Sequence, residues 1–512
     1  MLTPPSYTEA LHLSPTPSST SSLHTKRSGV NLLLGRYDAA KADALAALDP
    51  STPSPHDWKA HFNAGRAAYG LCAYPESHAL LTTALKLNPS NASIQKELVR
   101  CEARLREEET GEYDFDAMLA SLSATHVHLD CASFLKNVRV GASAHHGRGL
   151  FATRDLKVGE VVFVEKATLM PNQYEPVRAS AALYAMMVRQ LCENPSLAAE
   201  VMELYPGQEV GYGRSGREGE MVDGVPVVDV FLVEGIRTKN CFSAPRSTVE
   251  DTTWRGQVES AGRMAKGLWV RASYLNHSCV ANTMRSFVGD MLVGRATRDI
   301  KEGEELFQQY VPVKPLVDVR NEQFREGWGF ECGCVLCKGE RRSSEGMLAK
   351  RKEALAAVEK LCNKKLPGRE ILPDATIRSV DRMAKQLEEM HEAEVYRGLP
   401  RLTLIYPCTW LVNAHRGRKN HTKVVKYAKK VLRNFGFKVP EEEGAEWDPR
   451  EIYTISEPAT LMSAHVVTAL RRLVEAYEAL GQKDMAERCI EAAEFGYMIV
   501  TGFKNDLKLL DR

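Results

Sequence analysis

Residues 328–337 read WGFECGCVLC, and the spacing C-x-C-x-x-C in that stretch restricts what it can be. Zinc takes four ligands in a tetrahedron with thiolates at about 2.3 Å, and cysteines this close together on a tight turn supply them readily. Cys332, Cys334 and Cys337 provide three, so a closed structural site needs a fourth ligand from elsewhere in the chain. The competing readings are three buried thiols without metal, or a catalytic zinc with one open position. The candidate fourth ligand is Cys279, upstream in YLNHSCVAN (residues 274–282).

Working outward, the short loop at 274–282 gains meaning from the order of its neighbours. It is preceded by HHGRGLFATRDLKVGEVVFVEKA (145–167), whose Gly147 and Gly149 let backbone come close to a ligand. It is followed by DIKEGEELFQQYV (299–311), with Tyr310 near its end, and then by the cysteines. Between Cys131 and Tyr310, the runs NVRV, EVVFVEKA, PVVDVFLV and MLVGRAT are β-rich and bounded by turn residues, which predicts strands. Residues 176–205 carry helical periodicity, and 206–224 are Gly-rich and polar, so 176–224 is expected to be a helical insert ending in a loop.

Both flanks read as helical. LLLGRYDAAKADALAALDP (32–50) is echoed by AYGLCAYPESHALLTTALKLNP (68–89), with matching aromatics at Tyr37 and Tyr74. A tetratricopeptide repeat (TPR) has a period of about 34 residues, and the Pro-rich insert STPSPHD accounts for the slightly wider spacing here. Small residues at Gly65, Ala68 and Ala84 suit closely packed helix pairs. A charged helix at 96–109 follows as a cap, and LVEAYEALGQKDMAERCIEAAEFGYMIV (473–500) carries a similar pattern near the other end. The first 28 residues are rich in Ser, Thr and Pro and are expected to form a disordered tail.

Taken together, GRGLFATRDLKVGEVVF, KNCFS, YLNHSC with its trailing Asn282, RDIKEGEELFQQY and WGFECGCVLC resemble the SET-domain lysine methyltransferases, within them the SMYD-like group. The resemblance covers about residues 138–338. It implies an α+β fold: a β-rich SET domain with a pseudoknot and a post-SET zinc site, flanked by N- and C-terminal TPR-like helical domains. The expected boundaries are 1–28 for the tail, 29–115 for the first helical domain and 131–312 for the SET domain. The zinc-binding segment then takes 313–340 and the C-terminal helical domain 341–512.

The resemblance also implies roles. Gly147, Arg148 and Gly149 would lie against S-adenosylmethionine through their backbone. Asn240, Asn276 and His277 would hydrogen-bond it, and Trp328 or Phe330 would pack on its adenine. Cys279 would join Cys332, Cys334 and Cys337 on zinc. Phe242 and Tyr310 would line the channel for the substrate lysine, Tyr310 being the catalytic residue.

These residue types suit the reaction. Methyl transfer from a sulfonium needs a neutral amine, and lysine has a pKa of about 10.4, so deprotonation near neutral pH costs about 4 kcal/mol. An apolar aromatic channel disfavours the ammonium and lowers that cost. Three departures from the group stand out. Residues 166–270 hold only Cys192 and Cys241, so the MYND zinc finger of that group is not expected. Ala281 stands where a Pro is usual, and Trp328 where a Tyr is common.

Composition narrows the alternatives. Lys and Arg total 67 against 66 Asp and Glu, so no global field favours naked nucleic acid, and direct nucleic-acid binding is not expected. There is no apolar run near the roughly 20 residues that span a bilayer, and no stretch of signal-peptide type. The reading is an intracellular protein, nuclear or cytoplasmic or both, acting on a protein substrate with an exposed lysine. Its TPR-like helices are open to protein partners. The alternative is a catalytically inactive adaptor with the same two kinds of domain.

Overall fold

The computed structural model describes residues 4–504 apart from 14–15, 52, 208–219, 223–224, 255–263, 364–371, 443–444 and 455–458. The chain divides into two compact units that do not follow chain order. One gathers Met1–Lys136, Glu165–Ala244 and Gly262–Ser273; the other gathers Asn137–Val164, Pro245–Ala261 and Tyr274–Arg512.

The first unit opens with helices α1 (Pro4–His12), α2 (Pro17–Leu33), α3 (Tyr37–Ala46), α4 (Trp58–Gly70), α5 (Tyr74–Leu87), α6 (Ala92–Thr110) and α7 (Phe115–Ser121). From α2 to α6 each helix packs on the next. The small residues do what their pattern suggests: Ala64, Gly65, Ala68 and Ala84 are buried, and the Ser77 hydroxyl donates to Gly65 O at 2.8 Å.

The expected disordered tail is corrected here, because residues 4–12 and 17–28 are helical; residues 1–3 lie outside the described residues. Thr16 caps α2 by accepting from Ser19 N, with Pro17 in the first turn, where its missing N–H costs nothing. The polar composition is satisfied by pairing. The buried Asp43 carboxylate of α3 accepts from Arg27 Nε at 2.8 Å, Arg27 Nη2 at 2.5 Å and Asn31 Nδ2 at 3.0 Å. The segment is thus half of a helical hairpin.

The same unit holds α8 (Pro176–Glu193), α9 (Ala198–Val201) and α10 (Val230–Asn240), with two short pairs, β4–β5 (Met221–Val222, Val225–Pro226) and β6–β7 (Phe242–Ala244, Ala265–Gly267). The helical insert therefore ends in a strand pair, and most of its expected loop lies outside the described residues. The strand expected in PVVDVFLV is also corrected. Asp229 accepts from Phe231 N and Leu232 N, starting α10, and Leu232, Val233 and Ile236 bury one helical face. A short apolar run fits either period, and the N-cap decides it.

The second unit contains the main sheets. One runs β1–β2–β11–β8, with β1 (Val138–Ser143), β2 (Gly147–Ala152), β8 (Asn276–His277) and β11 (Glu305–Gln308). The other runs β3–β10–β9, with β3 (Val161–Lys166, of which 161–164 belong to this unit), β9 (Thr283–Val288) and β10 (Met291–Ala296). After α11 (Thr248–Trp254), the unit's remaining helices are α12 (Val317–Trp328), α13 (Val335–Glu340), α14 (Glu345–Cys362), α15 (Asp374–Glu389), α16 (Ile405–Gly417), α17 (His421–Asn434), α18 (Ala464–Ala479) and α19 (Lys483–Thr501). One buried cluster runs from Cys279 and Phe324 through to Tyr497. No helix among the described residues is long and apolar enough to cross a membrane.

Candidate active site and metal centre

Three chain segments meet in the β1–β2–β11–β8 sheet. Leu306 pairs with Leu150 in the antiparallel sense, while Phe307 and Gln308 pair in parallel with Asn276 and His277. The segment that carries Asn276 and His277 and the strand that leads to Tyr310 are therefore direct neighbours. Asn282 fastens them, accepting from Phe307 N at 2.7 Å and donating to Glu305 O at 2.9 Å.

Gly147 opens β2 at φ +75°, a left-handed backbone that favours glycine. Gly149 leaves room for two side chains, since a Cβ there would stand 2.5 Å from Glu305 Oε1 and 3.1 Å from Asn276 Nδ2 and would push both aside. The Asn276 amide donates to Arg148 O at 2.9 Å and to Glu305 Oε1 at 2.7 Å. Ser143 Oγ donates to the other oxygen of the same carboxylate at 2.8 Å. Glu305 thus organises this corner, although its place in a polar KEGEE turn gave the sequence reading no reason to select it.

His277 is buried, and both of its ring nitrogens are engaged. Tyr310 N–H donates to Nδ1 at 3.2 Å, which in the neutral ring puts the proton on Nε2, 3.5 Å from Cys279 Sγ. No ring nitrogen is left over for a ligand. The Tyr310 hydroxyl donates to Leu275 O at 3.0 Å. Burial pushes its pKa up to about 12, with the Arg285 cation pulling it down and Glu305 adding to the rise. The phenol is therefore a neutral donor at physiological pH.

Aromatic rings surround that phenol. Trp328 lies 5.1 Å from Tyr310 between ring centroids, and Phe330 lies 6.3 Å away at 89°. Phe330 stacks on Phe324 at 5.4 Å. Gly329 ends α12 in the left-handed conformation, its N–H returning to Phe324 O and Arg325 O. That turn sends the chain from Trp328 through Phe330 into the cysteines. Arg285 on β9 was not foreseen: it donates to Gln308 Oε1 at 2.7 Å, to Gln309 O, and to Tyr310 O at 3.3 Å. As a lone arginine in a strand it gave no sequence signal.

Cys279, Cys332, Cys334 and Cys337 converge, with every sulfur within 4.8 Å of the others. Cys279 Sγ is 3.9 Å from that of Cys332 and 3.6 Å from that of Cys337. A tetrahedron with Zn–S bonds of about 2.3 Å has edges of about 3.8 Å, so the thiols fit a zinc ion. Cys334 caps α13 and accepts from Cys337 N at 3.5 Å, which sets the C-x-x-C turn. Cys279, the fourth ligand expected from the sequence, is the cysteine the fold brings to the other three.

Asn240 and Phe242 fall in the first unit. Both amide hydrogens of Asn240 are used locally, on Tyr205 O at 2.8 Å and Ile236 O at 2.7 Å. Phe242 meets Trp269 edge-on at 5.9 Å. All the other expected site residues lie in the second unit.

Against known proteins, the SET domain family matches residues 147–311. A protein named "Methyltransferase" from Gibberella zeae is 31% identical over 388 residues, covering 70% of this chain and 52% of its own length. "Protein-lysine N-methyltransferase SMYD4" from Homo sapiens is 26% identical over 34% of this chain and 22% of its own. "Histone-lysine N-methyltransferase SET5" from Yarrowia lipolytica is 44% identical over 15% of this chain and 18% of its own. The chain spans about half, or less, of the length of these relatives.

Proposed function

Because this chain carries a SET domain and is homologous to the protein-lysine methyltransferase SMYD4, we propose that it transfers a methyl group to lysine side chains of a protein substrate. The observation that carries this reading is the neutral Tyr310 phenol, ringed by Trp328 and Phe330, on the segment that follows the strand paired with Asn276. S-adenosylmethionine would supply the methyl group on a sulfonium. The residues around Gly149 suit such a ligand: Gly147 and Arg148 are exposed, and the Glu305 carboxylate that accepts from Asn276 has the sign to favour a sulfonium.

The work of the chain's own residues is then positional. Gly147, Arg148 and Gly149 would present backbone to the cofactor, and Asn276 would hold that strand in register through Arg148 O. Trp328 and Phe330 would offer ring faces and exclude water. Tyr310 would orient the incoming amine in its neutral form, and an apolar surround disfavours the ammonium. No role in catalysis is needed from the metal; Cys279, Cys332, Cys334 and Cys337 would hold zinc as a structural tie between the 274–282 loop and the end of α12.

The substrate is a protein with an accessible lysine, and the helices of both flanks, TPR-like in their hairpin pattern, are proposed as partner surfaces. The test is transfer of label from isotopically marked S-adenosylmethionine to a lysate, with the modified residue located by mass spectrometry. Methylated lysine is the expected result. Cofactor binding by calorimetry without label on any lysine would instead favour a non-catalytic adaptor.

A further inference from the structure

The thiol cluster sits beside a buried cation, Arg320. Arg320, on α12, is essentially fully buried, and its Nη2 lies 3.5 Å from Cys337 Sγ. Its Nη1 donates to Lys314 O at 2.8 Å, and the guanidinium pairs with the Glu340 carboxylate of α13. Behind Glu340 stands a second buried cation. Tyr396 OH donates to Glu340 Oε1 at 3.3 Å and accepts from Arg351 Nη1 at 2.5 Å. Arg351 also donates to Ser343 Oγ and Met390 O.

We propose that Arg320 is the counter-cation of the metal centre, offsetting the negative charge that four thiolates leave on a bound zinc ion. A divalent ion with four thiolates carries a net charge of about −2, because each thiol loses its proton to solvent on binding. Cys279, Cys332 and Cys337 are at most 1% exposed and only Cys334 is half-buried, so water can offset little of that charge. Burying an unbalanced charge is costly, and a guanidinium with a donor on one sulfur balances it where it forms. Charges of alternating sign then run from the thiolates through Arg320 and Glu340 to Arg351. This inference rests on the zinc assignment, not on methyl transfer.

The test is zinc affinity of the full chain, measured by competition with a chelating dye and with folding checked by circular dichroism. Removing Arg320 alone would strand Glu340, so the informative protein is Arg320→Met combined with Glu340→Met, which deletes the pair as a unit. Outer contacts to metal ligands are worth 10–100-fold in affinity, and a loss in that range is expected. Glu340→Gln removes the competing anion and keeps Arg320, so it should bind zinc at least as tightly as wild type. A folded double variant within about twofold of wild type overturns the proposal. So does weaker binding by a folded Glu340→Gln, which also decides the matter if the double variant does not fold. Wild-type protein purified without zinc and unable to take it up would overturn the metal assignment itself.

Discussion

At the scale of single residues, Arg285 donates to the Tyr310 carbonyl, and the proposed methyl transfer would use the two as a pair. Tyr310→Phe removes a hydroxyl bonded to Leu275 O and leaves the ring contacts with His277 and Trp328 in place. Turnover should fall at least tenfold, about 1.4 kcal/mol in the transition state, with cofactor affinity nearly unchanged. Single-turnover methyl transfer measures the first and calorimetry the second; equal rates would remove the hydroxyl from the mechanism. Arg285 acts through Tyr310, because its fork holds Gln308, Gln309 and the Tyr310 carbonyl. Burial lowers its pKa to about 10, so it stays charged at physiological pH. Arg285→Met should also slow turnover about tenfold, and much less in the Tyr310→Phe background, the mark of coupled residues. Additive losses would assign Arg285 a purely structural role. Of this pair, only Tyr310 was legible in the sequence, because it belongs to a motif, whereas the value of Arg285 comes from three oxygens more than 20 positions away.

At the scale of elements, the N-terminal helices show how composition misleads. Residues 17–28 are polar, and polarity alone suggests disorder, yet α2 is pinned to α3 by the Arg27 and Asn31 bonds to Asp43. Asp43→Ala leaves the Arg27 guanidinium facing an empty site, and should cost about 2–3 kcal/mol, somewhat below a fully buried pair because Arg27 is partly exposed. Urea unfolding followed by far-UV circular dichroism would register it. An unchanged midpoint would mean that helix packing alone holds the hairpin. The run PVVDVFLV teaches the same point in reverse, since its β-branched residues matched a strand while Asp229 made it a helix. Where patterning was long, as in α5, α6, α18 and α19, the sequence sufficed.

At the scale of the molecule, stability should carry a pH signature from Glu165. Its buried carboxylate accepts from Arg271 N at 2.8 Å and Ala272 N at 2.7 Å, yet burial raises its pKa to about 7. The folded state therefore binds a proton more tightly than the unfolded chain. The resulting stabilisation is fully present below the unfolded pKa of about 4.5 and is lost as pH rises to about 7, a fall of up to about 3 kcal/mol. Glu165→Gln should flatten that part of the stability curve in chemical denaturation between pH 4.5 and 7. An identical slope in both proteins would place the dependence elsewhere. The sequence by itself determined the β-rich centre, the helical flanks, the glycines at Gly147 and Gly149, and four cysteines as one cluster. The first three follow from local period and turn residues, which act over a few residues; Cys279 joined the other cysteines through the order of the motifs along the chain. Tertiary structure alone decided that the chain divides into two discontinuous units, that β8 lies parallel to β11, and that both His277 nitrogens are already engaged. It alone decided too which buried charges face each other, because burial obliges each polar group to find a partner, and only the path of the chain determines which one is within reach.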